Sequence, residues 1–290
     1  MSEVQRTRGS AGAGRRAALP DGIQWPLTMS VWAYGVRIGV RANDPGLGEA
    51  LARHLPPGSK FADFSDAARV YSLVVDEADD RSGKHWNSVY LNGALLALSS
   101  TLEAALRAFE KDVQLYVAEM APDRVFVHAG VVGCQGRGIL LPGRSFAGKS
   151  TLVAELIRAG AEYYSDEYAV LDSAGGVYPY PRPLSMRPVG GPGVTKEPVH
   201  TFGGQARSAP LPVGLVVVSK FRSGGEWRPH RLSPGRGALA LLANTVSARR
   251  IPKIVLATLH QIVAGAVVVA SERGEASHVA ESILELATRC

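Results

Sequence analysis

Residues Gly143-Arg144-Ser145-Phe146-Ala147-Gly148-Lys149-Ser150 follow the spacing G-x-x-x-x-G-K-S/T. Each residue type has a physical task in that pattern. The glycines lack a Cβ, so the backbone can turn its N–H groups inward onto an anion. A helix starting at this point adds unpaired N–H groups and the positive end of its dipole. Lys149 supplies an ammonium for the β- and γ-phosphates of a nucleotide, and the Ser150 hydroxyl is a ligand for Mg²⁺. The segment from Gly143 to Thr151 is therefore expected to bind a nucleoside triphosphate, ATP with Mg²⁺. The plain alternative is a glycine-rich turn that binds nothing. Context favours binding: an apolar strand (Ile139, Leu140, Leu141) leads in and an apolar-faced helix (Leu152, Val153, Leu156, Ile157) leads out.

Two adjacent carboxylates, Asp166 and Glu167, follow Lys149 by 17 positions. Beside a phosphate loop, one would hold Mg²⁺ and the other would accept a proton from an attacking hydroxyl. Taken alone, Ser165-Asp166-Glu167 is also ordinary composition for a solvated turn. The short spacing puts the acids one helix away from the loop. It argues against GTPase and AAA-type arrangements, whose acidic metal residue ends a more distant apolar strand.

Strands and helices must position these groups. Residues 1–22 are rich in Gly, Ala, Ser and Arg without periodicity and read as a disordered tail. From Trp25 the pattern is α/β. Val36, Ile38 and Val40 alternate as in a strand, Gly46–Leu55 is a short helix, and Val70–Val75 is a second strand. Asn92-Gly93 is a tight hairpin turn between 89–91 and 94–98. Ser100 and Glu103 have capping-box spacing. The helix that follows puts Leu102, Leu106, Phe109, Val113, Val117 and Met120 on one face. A boundary near Asp123 separates an N-terminal α+β domain, 23–122, from a second domain, 123–290.

In that second domain, strands are expected at 124–132, 138–141, 168–171, 177–180, 213–219 and 266–270, and helices at 151–158, 238–246, 252–263 and 276–287. Residues 179–198 read as an ordered Pro- and Gly-rich loop.

Composition bounds the rest. Of 290 residues, 46% are hydrophobic and 20% charged, enough for a core and against global disorder. The net charge of +6 suits anionic ligands without choosing among them. No helix-turn-helix, zinc or aromatic–basic signature supports nucleic acid. Two cysteines, Cys134 and Cys290, make neither a metal spacing nor a disulfide framework. The longest apolar stretch, 254–270, is broken by His260, Gln261 and Gly265, and the N-terminus lacks a secretion-signal core. These features point to the cytoplasm, with no membrane partner, and leave a homo-oligomer open.

Over residues 124–290 the sequence resembles the HPr serine kinase/phosphorylase family, which shares a core with phosphoenolpyruvate carboxykinase. The matching stretches are Val127-His128-Ala129-Gly130-Val131-Val132, Gly138-Ile139-Leu140-Leu141-Pro142-Gly143, Gly148-Lys149-Ser150-Thr151 and Ser165-Asp166-Glu167. Pro234-Gly235-Arg236 with Ala238-Leu239-Ala240 also looks like the family's arginine segment. The resemblance implies a P-loop kinase core. Lys149 and the loop amides would bind phosphates, and Ser150 would bind Mg²⁺. Asp166 and Glu167 would share metal binding and general-base work. His128 would support the acids, and Arg236 would contact phosphate or substrate. From the residues alone, His128 reads first as a hydrogen-bonded core histidine, and Arg236 is equally a surface arginine capping a helix. The family carries two aspartates where this chain has Asp166-Glu167. Its glycine-rich arginine segment is replaced here by 181–188, and 23–122 has no counterpart in it. The chain looks closer to divergent members, some of which phosphorylate a serine of a small biosynthetic peptide. The expected activity is ATP-dependent transfer to a serine-type hydroxyl of a peptide, protein or small molecule. A phosphorylase, a nucleotide hydrolase and a non-catalytic nucleotide-binding regulator are the alternatives.

Overall fold

The structure, a computed structural model, describes residues 18–62, 67–78, 85–143, 148–187 and 193–289. It is mixed α/β with several sheets, and the chain divides into two compact units, Met1–Pro122 and Asp123–Cys290.

The first unit contains β1 (Leu27–Ala33), β2 (Val36–Ala42), α1 (Gly48–His54), β3 (Lys60–Ala62), β4 (Val70–Ala78), β5 (His85–Leu91), β6 (Ala94–Ser99) and α2 (Leu102–Met120). Its six-stranded sheet runs β3-β1-β2-β4-β5-β6 and is antiparallel except for the β2–β4 pair. Asn92 and Gly93 take φ of 47° and 84°, the left-handed pair that a tight hairpin needs. Leu106, Phe109 and Val113 of α2 and Leu51 of α1 bury against Val31, Ile38, Val40 and Leu73. Met120, expected on that face, is exposed.

Two sequence expectations shift here. The cap of α2 is Thr101, whose Oγ1 accepts from the Ala104 amide at 3.4 Å, and not Ser100. Thr101 has the extended backbone a cap requires, and the helix begins one residue later than supposed. Of the tail expected to be disordered, residues 1–17 lie outside the described residues. Ala18 pairs with Ala94, and the Leu19 amide donates to the Gly93 carbonyl at 2.8 Å, so its last part is held by the β5–β6 hairpin.

The second unit runs β7 (Val125–Cys134), β8 (Arg137–Pro142), α3 (Lys149–Arg158), β9 (Glu162–Ser165), β10 (Tyr168–Leu171), β11 (Gly176–Tyr178), β12 (Leu184–Met186), β13 (Thr195–Glu197), β14 (Leu211–Phe221), β15 (His230–Arg231), α4 (Pro234–Leu242), α5 (Pro252–Gly265), β16 (Val267–Arg273) and α6 (Ala280–Thr288). The main sheet is ordered β11-β10-β7-β8-β14-β16-β15, and β9 also pairs with β7. Strands β8, β14 and β16 are mutually parallel. Their carboxyl ends therefore share one edge, where ligands of open α/β sheets usually bind.

Period-two alternation decides which layer each side chain joins. Ile139, Leu141, Leu215, Val217 and Val269 pack with α3 and α6. The intervening Leu140, Val216 and Val268 pack with α4 and α5 on the other face. Each fully buried aliphatic side chain contributes about 1.5–3 kcal/mol, so both helical layers are firmly attached.

The expected loop 179–198 instead carries the antiparallel β12–β13 pair. Leu184 ties it down, fully buried in the core beneath α3. Helix α4 starts earlier than expected, at Pro234, because Ser233 caps it and proline suits a first helical turn. It also ends earlier: Asn244 and Val246 run alongside β7, bonding His128 and Phe126.

Gly130 sets how closely α3 approaches β7: a Cβ there would lie 2.5 Å from Val153 Cγ2. Gly130→Val should lower unfolding stability by about 1–3 kcal/mol through overpacking. Gly235→Ala, whose Cβ would meet open space, should leave stability unchanged or raise it. Urea unfolding of the two variants checks this.

Candidate functional site

The strand–turn–helix from β8 into α3 is built by local chemistry. Gly148 takes φ 73° and ψ 22° before the first turn of α3, with no side chain capping the helix. The opening amides of an α-helix have no acceptor within the helix itself. Lys149 Nζ folds back to donate to the Gly143 carbonyl at 2.8 Å. Gly143 is in turn fixed to β7, its amide donating to the His128 carbonyl at 3.2 Å. Burial lowers the Lys149 pKa below the ordinary lysine value, and Asp166 and Glu167 oppose that shift. Arg144, Ser145, Phe146 and Ala147, the interior of the expected loop, lie outside the described residues.

The acidic pair forms the turn that its composition suggested, but a buried turn and not a solvated one. Ser165 Oγ accepts from the Glu167 amide at 3.1 Å and the Tyr168 amide at 3.0 Å, closing the chain between β9 and β10. Both of these strands pair with β7, and the Glu167 carbonyl accepts from Ala129 at 3.2 Å. Asp166 is 7% exposed. Its Oδ2 accepts from Ser150 Oγ at 2.8 Å and from the Ser185 amide at 3.0 Å. Its Oδ1 is buried without a hydrogen-bond partner. Burial pushes the Asp166 pKa up; the Ser185 and Ser150 bonds and the Lys149 and Lys196 ammoniums oppose that. Glu167 is also raised by burial, with Lys196 opposing and Asp166 adding to the rise.

His128 faces the same cavity from β7, its ring tilted against Tyr168 at 4.8 Å between centroids. Burial, then the Lys149 charge, lower its pKa, which keeps the imidazole neutral near pH 7.

The cavity measures about 520 Å³ and brings His128, Lys149, Ser150, Asp166 and Glu167 together. That size lies within the range of small-ligand sites. Its other wall comes from the β12–β13 pair, through Ser185, Arg187, Val194 and Lys196. Lys196 Nζ donates to Ser185 Oγ at 2.9 Å.

Arg236 does not join this group. It is exposed on the first turn of α4, its amide bonded to Ser233 Oγ, and it is not among the cavity's lining residues. The end of α4 that reaches β7 is its other end, roughly 10 Å of helix away. Two residues escaped the sequence reading. Ser185 sat unremarked in a stretch read as loop. Arg273 ends an apolar strand and reaches Gly148 from far along the chain. Among the described residues, no cluster of three or more His, Cys, Asp or Glu could hold a metal, and no helix is long and apolar enough to cross a membrane.

Compared with known proteins, the chain matches no family model, and no curated protein matches its sequence.

A carboxyl whose pKa is raised in the folded state binds more protons there than in the unfolded chain. Stability must therefore fall as pH rises through the window above the ordinary aspartate value. Asp166→Asn should remove part of that fall, so the variant gains on the wild type as pH rises from about 4 toward neutrality. Urea unfolding across that range, without nucleotide or metal, measures it.

Proposed function

We propose that the second unit binds ATP with Mg²⁺ at the Gly143–Thr151 segment and transfers the γ-phosphate to a serine-type hydroxyl. It would do so on a P-loop kinase core of the HPr kinase/phosphoenolpyruvate carboxykinase type. One observation carries this reading. The buried Asp166 carboxylate shares one oxygen with the Ser150 hydroxyl at the start of α3, while its other oxygen has no partner.

That donor set fits magnesium. Mg²⁺ prefers oxygen ligands and is usually held by one or two carboxylates plus substrate phosphates, not by an all-protein cage. Ser150 Oγ and Asp166 would hold it, with Glu167 directly or through water. The metal would neutralise charge developing between the β- and γ-phosphates.

The chain's own residues supply the rest. The first amides of α3 and the Lys149 ammonium hold and orient the polyphosphate. Of the two acids, the one not committed to metal takes the proton from the attacking hydroxyl as the Oγ–P bond forms and ADP leaves. Raised pKa values make both better bases near neutral pH than an exposed carboxylate. His128, neutral and tilted against Tyr168, walls the acids on the β7 side. Arg187 and Lys196 give the opposite wall a positive rim, which suits an acceptor carrying negative charge, such as an acidic peptide. The cytoplasm, where ATP is plentiful, is the proposed setting.

Lys149→Ala should reduce label transfer from γ-labelled ATP by about 100-fold or more, the usual cost of losing a transition-state donor. Unchanged transfer would refute the site, and ATP binding without consumption in the wild type would favour a regulator. Lys196→Met should raise KM for an acidic acceptor roughly tenfold with little change in kcat, as expected for a group that binds ground and transition states alike.

A further inference from the structure

Arg273 is the last residue of β16 and is 2% exposed. Its Nη2 donates to the Gly148 carbonyl at 2.9 Å and its Nη1 to the Gly274 carbonyl at 3.1 Å, while Nε is buried without a partner. The guanidinium lies 5.7 Å from the centroid of the Phe221 ring. A buried charge ordinarily has an opposite charge beside it. Among the described residues Arg273 has no salt-bridge partner, and the nearest acidic influence, Glu275, is exposed.

The bond to Gly148 has a directional consequence. In a trans peptide the C=O and N–H point opposite ways. Holding the Gly148 oxygen toward Arg273 and toward the Leu152 amide, which donates to it at 3.2 Å, turns the Lys149 N–H outward from the start of α3. Gly148 is held in the left-handed region, and a Cβ on it would come within 2.7 Å of Arg273 Nη2. The left-handed backbone and the close guanidinium both favour glycine at this position. A guanidinium here also adds positive charge beside the positive end of the α3 dipole. That arrangement is unfavourable until an anion occupies the end of the helix.

We infer that Arg273 is a positioning residue of the phosphate site: it holds the Gly148 peptide so that the amides opening α3 face the polyphosphate, and the bound anion offsets its charge. The inference rests on the nucleotide-binding reading above. It extends the site to a residue 125 positions from Gly148 in sequence.

The test is calorimetric titration of the full chain and of Arg273→Met and Arg273→Lys with MgATP, MgADP, AMP and inorganic triphosphate, with thermal unfolding alongside. Arg273→Met should weaken MgATP, MgADP and triphosphate by about ten- to hundredfold, the range for losing a charged hydrogen bond. AMP binding should change little. Arg273→Lys, which keeps the charge but not the two-pronged grip, should recover part of the loss. The unliganded melting temperature of Arg273→Met should hold or rise, since an uncompensated buried charge is gone, while its upward shift with MgATP shrinks. If Arg273→Met does not fold, Arg273→Lys carries the comparison, and a selective loss of polyphosphate over AMP still supports the inference. Equal polyphosphate binding by wild type and variants would overturn it, as would parallel loss of AMP binding and unliganded stability. Failure of the wild type to bind ATP or triphosphate would instead sink the nucleotide reading itself.

Discussion

Three separate parts of the second unit meet on one carboxylate oxygen. Asp166 Oδ2 takes a hydrogen bond from the side chain opening α3 and another from the backbone of β12, while Asp166 itself sits in the turn between β9 and β10. Burying a carboxylate is costly unless its lone pairs are satisfied. Meeting that cost fixes the helix start, the acidic turn and the β12–β13 pair in one relative geometry. The constraint is incomplete, because Oδ1 remains without a partner. A hard cation is the kind of group that completes such a set, which is why the proposed chemistry centres there.

The sheet supplies the rigidity behind this arrangement. Central strands β8, β14 and β16 are buried on both faces, with α3 and α6 on one side and α4 and α5 on the other. Parallel strands covered this way have little freedom to slip, since a one-residue shift would exchange the two apolar layers. Their common carboxyl edge then presents Gly143, Gly148 and Arg273 from distant parts of the chain. Gly130 lets α3 lie close enough to β7 for Ser150 to reach Asp166. Packing and polar geometry are here a single requirement.

Electrostatically the cavity is a layered device. Two acids sit between the Lys149 ammonium on one side and Lys196 on the other, and each shifts the titration of its neighbours. Burial is the largest influence on every one of these groups. They are therefore poised to respond to an incoming charged ligand more strongly than surface groups would. A polyphosphate with its metal would bring both signs of charge into a site that already holds both.

Much of this was legible in the residues. Spacing alone marked Gly148, Lys149 and Ser150 at the start of a helix, because a glycine turn leading into a helix is a local object whose requirements lie within a few neighbours. Asn92-Gly93 announced its hairpin, and the three-and-four stepping of Leu106, Phe109 and Val113 announced the buried face of α2, for the same reason. Local pattern also placed the acidic pair in a turn, but it could not say that the turn was buried, since burial depends on what the rest of the chain lays over it. Ser185 and Arg273 carried no local signal: their partners, Asp166 and Gly148, lie 19 and 125 positions away. Arg236, attractive by resemblance, sits on the first turn of α4, outside the cavity lining. The sequence by itself determined the elements and the chemistry each could offer. Only the tertiary structure decided which of those groups share a cavity, because hydrogen bonds between distant segments depend on how whole layers pack, and no short window of residues encodes that.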